Sequence, residues 1–123
     1  MARTTTGVIN GRLHPCPDKP NCICSFAEPS DGLHYYPPRK VTGNPIEKIK
    51  ASLEKLNLTL VAADTNYLHC VATTAVFRFK DDLEFLYDPK DQLLHLRSAS
   101  RLGHSDLGAN RKRMDRILER LGF

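Results

Sequence analysis

The stretch from His95 to Arg113 gathers most of the side chains in this chain that could contact a ligand. It runs from a strand end through a polar loop into a basic helix. Arg97, Ser98, Arg101, Ser105, Asn110 and Arg111 fall within it. Guanidinium forks, short hydroxyls and the free N–H groups of a helix start can together hold phosphate, sulfate or carboxylate. The competing expectation is internal. Asp81, Asp82, Glu84 and Asp106 can accept from Arg97 and Arg101, making the same block a clasp between the last strand and the last helix. Ser105 and Asp106 would then be ordinary helix caps. The structural reading ranks first, because caps and ion pairs are commoner than ligand sites.

A second group is Cys16, Cys22 and Cys24 in a proline-rich loop, spaced C-x5-C-x-C. A disulfide from Cys16 to Cys22 or Cys24 would staple the loop. A soft metal site using all three, with His14, ranks second, since the spacing matches no common zinc pattern. A reactive thiol would need an electropositive setting, for which His14 and Lys19 are the nearby groups. Cys70, inside an apolar run, reads as a small buried side chain.

Acid–base groups are present in His69, His95 and His104 with Asp81, Asp82 and Asp106, but nothing in their spacing fixes a mutual geometry. There is no Gly-rich phosphate loop, nucleophile elbow or metal-ligand motif. We therefore expect no catalytic residues, no metal and no cofactor, and a binding or accessory domain rather than an enzyme.

Charge points the same way. Seven basic and three acidic residues lie between Arg97 and Arg120, an excess equal to the whole chain's net charge of +4. Such a patch favours anionic partners, although Arg116 and Arg120 read as a solvated helix face. No aromatic residue is interleaved with these arginines, so the nucleic-acid signal is weak.

The elements that must position these groups are legible in part. A chain of 123 residues fits one domain. Residues 1–43 hold six of the eight prolines and read as an irregular arm over the core. Residues 44–123 read as an α-β-β-β-β-α core. Asn44 caps a helix from Pro45 to about Leu56, with Ile46, Ile49, Leu53 and Leu56 on one face. Strands follow at Leu58–Ala63, from Tyr67 to Phe79 with a bend near Thr74, at 83–87, and at 93–99. Turns are expected at 64–66, at Lys80-Asp81-Asp82 and at 88–91. Met114, Ile117, Leu118 and Leu121 recur at helical spacing before Gly122. The fold class is α+β: an antiparallel sheet of about four strands with two amphipathic helices.

Three blocks carry a resemblance: Pro15 to Cys22, Phe79 to Phe85, and Arg97 to Arg113. Over roughly residues 13–121 the chain resembles domain-of-unknown-function family 1499. The resemblance supplies no catalytic residues that can be carried over, since the family is uncharacterised. Many members are exported or attached to membranes, so it implies a Cys16–Cys22 bridge. Cys24 departs from the pattern, which favours serine there.

No apolar run is long enough to cross a bilayer and no export leader is visible. As written the chain reads as cytoplasmic, with an exported mature domain in periplasm or lumen as the alternative. The partner expected is a small anion near the last strand and last helix. The alternative is a protein-interaction subunit using the sheet face or edge, including a homo-oligomer.

Overall fold

A computed structural model describes residues 5–76, 78–103 and 105–123. In chain order the elements are β1 (Val8–Ile9), β2 (Arg12–Leu13), β3 (Cys22–Cys24), β4 (Arg39–Lys40), α1 (Ile46–Ser52), β5 (Leu58–Ala63), β6 (Tyr67–Thr73), β7 (Lys80–Asp88), β8 (Leu93–Ser100) and α2 (Ala109–Leu121). The main sheet has six strands, ordered β3-β8-β7-β6-β5, with β4 also paired to β8. All its named pairings are antiparallel. β1 and β2 form a separate hairpin.

The α+β class and the antiparallel sheet stand, but the count of about four strands is corrected to six. The two additional strands come from the arm. β3 and β4 lie end to end along β8, at 97–99 and 93–94 respectively. Neither has a hydrophobic rhythm of its own. They are strands because β8 would otherwise leave its outer N–H and C=O groups unpaired.

The expected turn at Lys80-Asp81-Asp82 is also corrected. Both aspartates lie inside β7, and the reversal falls earlier, where Thr74 N donates to Phe79 O at 2.8 Å and Phe79 N to Thr74 Oγ1 at 2.8 Å. Consecutive strand residues face opposite sides of the sheet. Each carboxylate therefore finds its own cation, Arg113 on one side and Arg101 on the other.

The sheet has two unlike faces. On one, Ile23, Leu68, Cys70, Leu83, Phe85, Leu94 and Leu96 pack against Ile46, Ile49 and Leu53 from the α1 segment and against Met114, Ile117, Leu118 and Leu121 of α2. The other face carries a cross-strand row of Cys24, Arg97, Glu84 and His69. The arm covers this polar face: Gly7 N donates to Glu84 and Pro15 O accepts from Arg97.

α1 is capped as expected, Asn44 Oδ1 accepting from Ile46 N at 2.9 Å. Its regular part stops at Ser52, shorter than the periodicity to Leu56 implies, and the chain continues in turns to Asn57 at φ 58°. α2 begins at Ala109 after Gly108 at φ 80°, a left-handed backbone that glycine adopts without a Cβ penalty. Tyr36 fastens the arm to α2, its hydroxyl donating to Asp115 Oδ1 at 2.5 Å. Burial and that bond push the phenol up to about 12. Among the described residues, no helix is long and apolar enough to cross a membrane.

Candidate functional site

The polar face is built around a buried ion pair. Arg97 is 1% exposed and Glu84 is 0% exposed. Arg97 Nη1 lies 3.4 Å from Glu84 Oε1, and Nη2 donates to Pro15 O at 3.2 Å. Glu84 Oε2 also accepts from Tyr67 Oη at 2.5 Å and Gly7 N at 2.7 Å. Burial, then the bond to Glu84, pushes the Tyr67 phenol well above its ordinary range. Among the described residues, Arg97 Nε is buried without a hydrogen-bond partner. A carboxylate this deep persists because three donors from three segments converge on it.

Beside it stands a second knot. Arg101 grips Asp82 with both arms of its fork, Nε to Oδ2 at 2.9 Å and Nη2 to Oδ1 at 2.9 Å. His69 Nε2 lies 2.7 Å from Oδ1. Burial works against the charged carboxylate, but the His69 and Arg101 bonds prevail and hold it well below the usual range. The same bond from Asp82 raises the Arg101 guanidinium.

On the helix side, Asn110 is buried at the centre of a third network. Its amide nitrogen donates to Asp106 Oδ2 at 2.6 Å and Ser100 Oγ at 2.9 Å, and its carbonyl oxygen accepts from Ser98 Oγ and from Arg113. Asp106 in turn accepts from the N–H groups of Gly108 at 2.8 Å and Asn110 at 3.1 Å. Asn21 Nδ2 donates to Gly103 O at 2.8 Å. The helix start therefore already holds an anion, the Asp106 carboxylate.

The anion-binding candidates are consequently spread apart. Arg97 lies under the arm, Arg101 is taken by Asp82, and Ser98 and Asn110 satisfy one another. Ser105 Oγ accepts from Leu107 N, and Arg111 lies over the Tyr36 ring with Nη2 at 3.5 Å from Leu33 O. Ser105 and Arg111 line a shared hollow of about 230 Å³, and Asp106 lines it too. Of the expected acceptors, Asp82 and Glu84 face Arg101 and Arg97, while Asp81 pairs with Arg113 at 2.7 Å. His104 lies outside the described residues.

In the cysteine loop, Cys16 and Cys22 form a disulfide, with Cα atoms 5.6 Å apart. Cys24 is free and buried. Burial pushes its thiol up, away from the reactive thiolate form. Burial likewise pushes Cys70 up to about 12. Among the described residues no group of three or more His, Cys, Asp and Glu side chains is arranged to hold a metal ion. Cys16→Ser paired with Cys22→Ser should lower stability by about 2 kcal/mol, the chain-entropy value for so short a loop. A urea midpoint unchanged by both the double substitution and reduction would contradict this.

Two arrangements escaped the sequence reading. Ser25 Oγ lies 2.9 Å from His95 Nδ1 and accepts from Leu96 N at 3.0 Å. The ring stacks on Phe26 at 3.9 Å, and the Arg12 guanidinium also lies over Phe26 at 4.7 Å. This serine is buried, and its hydroxyl ties the His95 ring to the β8 backbone. The second arrangement is a hollow of about 260 Å³ lined by Arg113, Arg116 and Arg120 with Asn57, Thr73 and Ile117. The spacing i, i+3, i+7 puts the arginines on one helix face. That pattern was visible in the sequence, but the wall opposite it was not.

No curated protein matches this chain. A family model described as a protein of unknown function, DUF1499, matches residues 12–121, an interval that holds the disulfide, both helices and every side chain of the three polar networks, leaving only the Gly7 backbone donor outside it. The chain therefore belongs to the DUF1499 family.

Proposed function

We propose that the chain is a small binding or accessory domain that takes an anionic group in the arginine-lined hollow beside α2. The observation that carries this reading is the absence of counter-charge. Arg113 is held by Asp81, but among the described residues no carboxylate lies within ion-pair distance of Arg116 or Arg120. Like charges at i and i+4 repel on a helix, and an anion between them removes that cost while accepting two forks. Arg97, Arg101, Asp82, Glu84 and Asp106 then serve as the clasp that holds β7, β8, the arm and α2 in register. The Cys16–Cys22 disulfide supports an oxidising compartment for the working domain.

Thermal melting tests the reading. Phosphate at ten times its dissociation constant stabilises by about 1.4 kcal/mol, a rise of roughly 3–6 °C for a domain of this size. Chloride at equal ionic strength should give no such rise. Arg116→Gln with Arg120→Gln should abolish it, and Arg111→Gln should keep it. A phosphate shift that survives the double substitution, or none in the unsubstituted protein, would end this reading.

A second reading, an interaction subunit, is favoured by one observation. β5 is a free sheet edge whose Leu60 and Val61 are exposed, with a register shift between Leu60 and Ala62. Pairing of two such edges would make a dimer. Light scattering should then report twice the monomer mass, and Val61→Lys should return the monomer.

A further inference from the structure

One end of the sheet presents apolar side chains on two neighbouring loops. The turn between β6 and β7 carries Val76 and Phe79, and the loop into α2 carries Leu102 and Leu107. Their exposures are 81%, 48%, 40% and 87%. The loops are tied together where Arg101 N donates to Lys80 O at 3.0 Å. Phe79, Leu102 and Leu107 line one shallow hollow of about 240 Å³ with Thr74, Gly103 and Ala109.

Each of the two loops holds one non-glycine residue in an unfavourable backbone. Leu107 has φ 53° and Arg78 has φ 59°, the left-handed region that non-glycine residues seldom occupy. On the second loop the strained residue is itself the exposed apolar one, Leu107, and backbone outliers of this kind cluster at working sites.

Asp81 and Asp106 also line this hollow, while the exposed charged side chains described around the tips are cations. Arg78 and Lys80 are exposed on the first loop, and the Lys80 ammonium donates to the Thr73 hydroxyl at 3.4 Å. Lys112 lies against Gly108 at the second loop. The two carboxylates at this end are spent internally, Asp81 on Arg113 and Asp106 on the N–H groups of Gly108 and Asn110.

We propose that this end of the sheet docks on an anionic lipid surface. Val76, Phe79, Leu102 and Leu107 enter the boundary between headgroups and acyl chains, and Arg78, Lys80 and Lys112 meet lipid phosphates. Single apolar side chains on projecting loops, rimmed by cations, suit a soft interface that closes around each of them. A protein ligand would instead need a rigid complementary pocket. The proposal does not depend on the arginine hollow beside α2.

The sequence contains no tryptophan, so Val76→Trp supplies a single fluorescent reporter at the tip. Mixed with vesicles of phosphatidylcholine and phosphatidylglycerol, it should shift to the blue and sediment with the lipid. Added salt should weaken both effects, and phosphatidylcholine alone should produce neither. Leu102→Ser with Leu107→Ser should cut partitioning about tenfold or more, at an unchanged circular dichroism spectrum. Arg116→Gln with Arg120→Gln should leave the reporter's shift in place, which separates this surface from the phosphate site. The proposal is overturned by failure to sediment with anionic vesicles, by sedimentation without a reporter shift, or by partitioning that survives the leucine substitutions. A blue shift that rises with protein concentration in the absence of lipid would also overturn it, and assign the surface to a second copy.

Discussion

Arg97→Ala will cost the domain about 3–5 kcal/mol, the range for stranding one partner of a buried ion pair. Glu84 would keep Tyr67 and Gly7 as donors but lose its charged partner, Arg97. The arm would lose the bond from Arg97 Nη2 to Pro15 O. Native stability is commonly about 5–15 kcal/mol, so this single change takes a large part of it. Arg97→Met combined with Glu84→Gln should cost less than Arg97→Ala alone, because it removes both charges and keeps most of the volume. Urea denaturation of the three proteins tests this directly. A double variant no better than the single would mean that shape at this position, rather than charge, holds the arm down.

The second large effect is acid-sensitive. In the unfolded chain Asp82 titrates near its ordinary value of about 3.9, whereas in the fold His69 and Arg101 hold it well below that. Its stabilising contribution is therefore complete above about pH 5 and is lost as pH falls through the ordinary value toward the folded one. Asp82→Asn should lower stability at pH 7 by about 1–3 kcal/mol, the range for charged hydrogen bonds. It should also flatten the decline between pH 5 and pH 2. Arg101→Ala should behave similarly at neutral pH, since it breaks the same fork. Urea midpoints taken across that pH range decide the matter: an acid limb equally steep in Asp82→Asn would assign it to other carboxylates.

The parts of the fold legible in the sequence are those whose hydrophobic rhythm belongs to one element. Met114, Ile117, Leu118 and Leu121 announce α2 by themselves, and the alternation of Leu83, Phe85 and Tyr87 announces β7. β3 has no such rhythm, because Cys22, Ile23 and Cys24 are all buried, one side under the arm and the other against the core. Its identity as a strand resides in β8. The Asp81-Asp82 pair misled for a related reason. Adjacent carboxylates suggest a turn, and only the three-dimensional positions of Arg101 and Arg113 reveal that both can lie in a strand. Arg97 and Arg101 were recognisable as residues with committed forks. Which acceptor each would take depended on cross-strand register, which one strand's sequence does not contain. Arg116 and Arg120 carried the right spacing, but the hollow they face is closed by Asn57 and Thr73 from elsewhere in the chain.

The pairing of β3 with β8 also sets an order of events during synthesis. Pro15 and Arg97 touch across 82 residues, and a ribosome delivers the arm first. The arm must wait, without a template, until the last strand has left the tunnel. Cys16 and Cys22 need no template, being only six positions apart, so an oxidising environment can join them while the arm is still bare. Once joined, Cys22 is no longer available to Cys24 or Cys70, and the thiols that remain are the two the finished sheet buries. The small loop thus works as a safeguard in time: it retires two of the four thiols before the rest of the chain exists to be wrongly cross-linked.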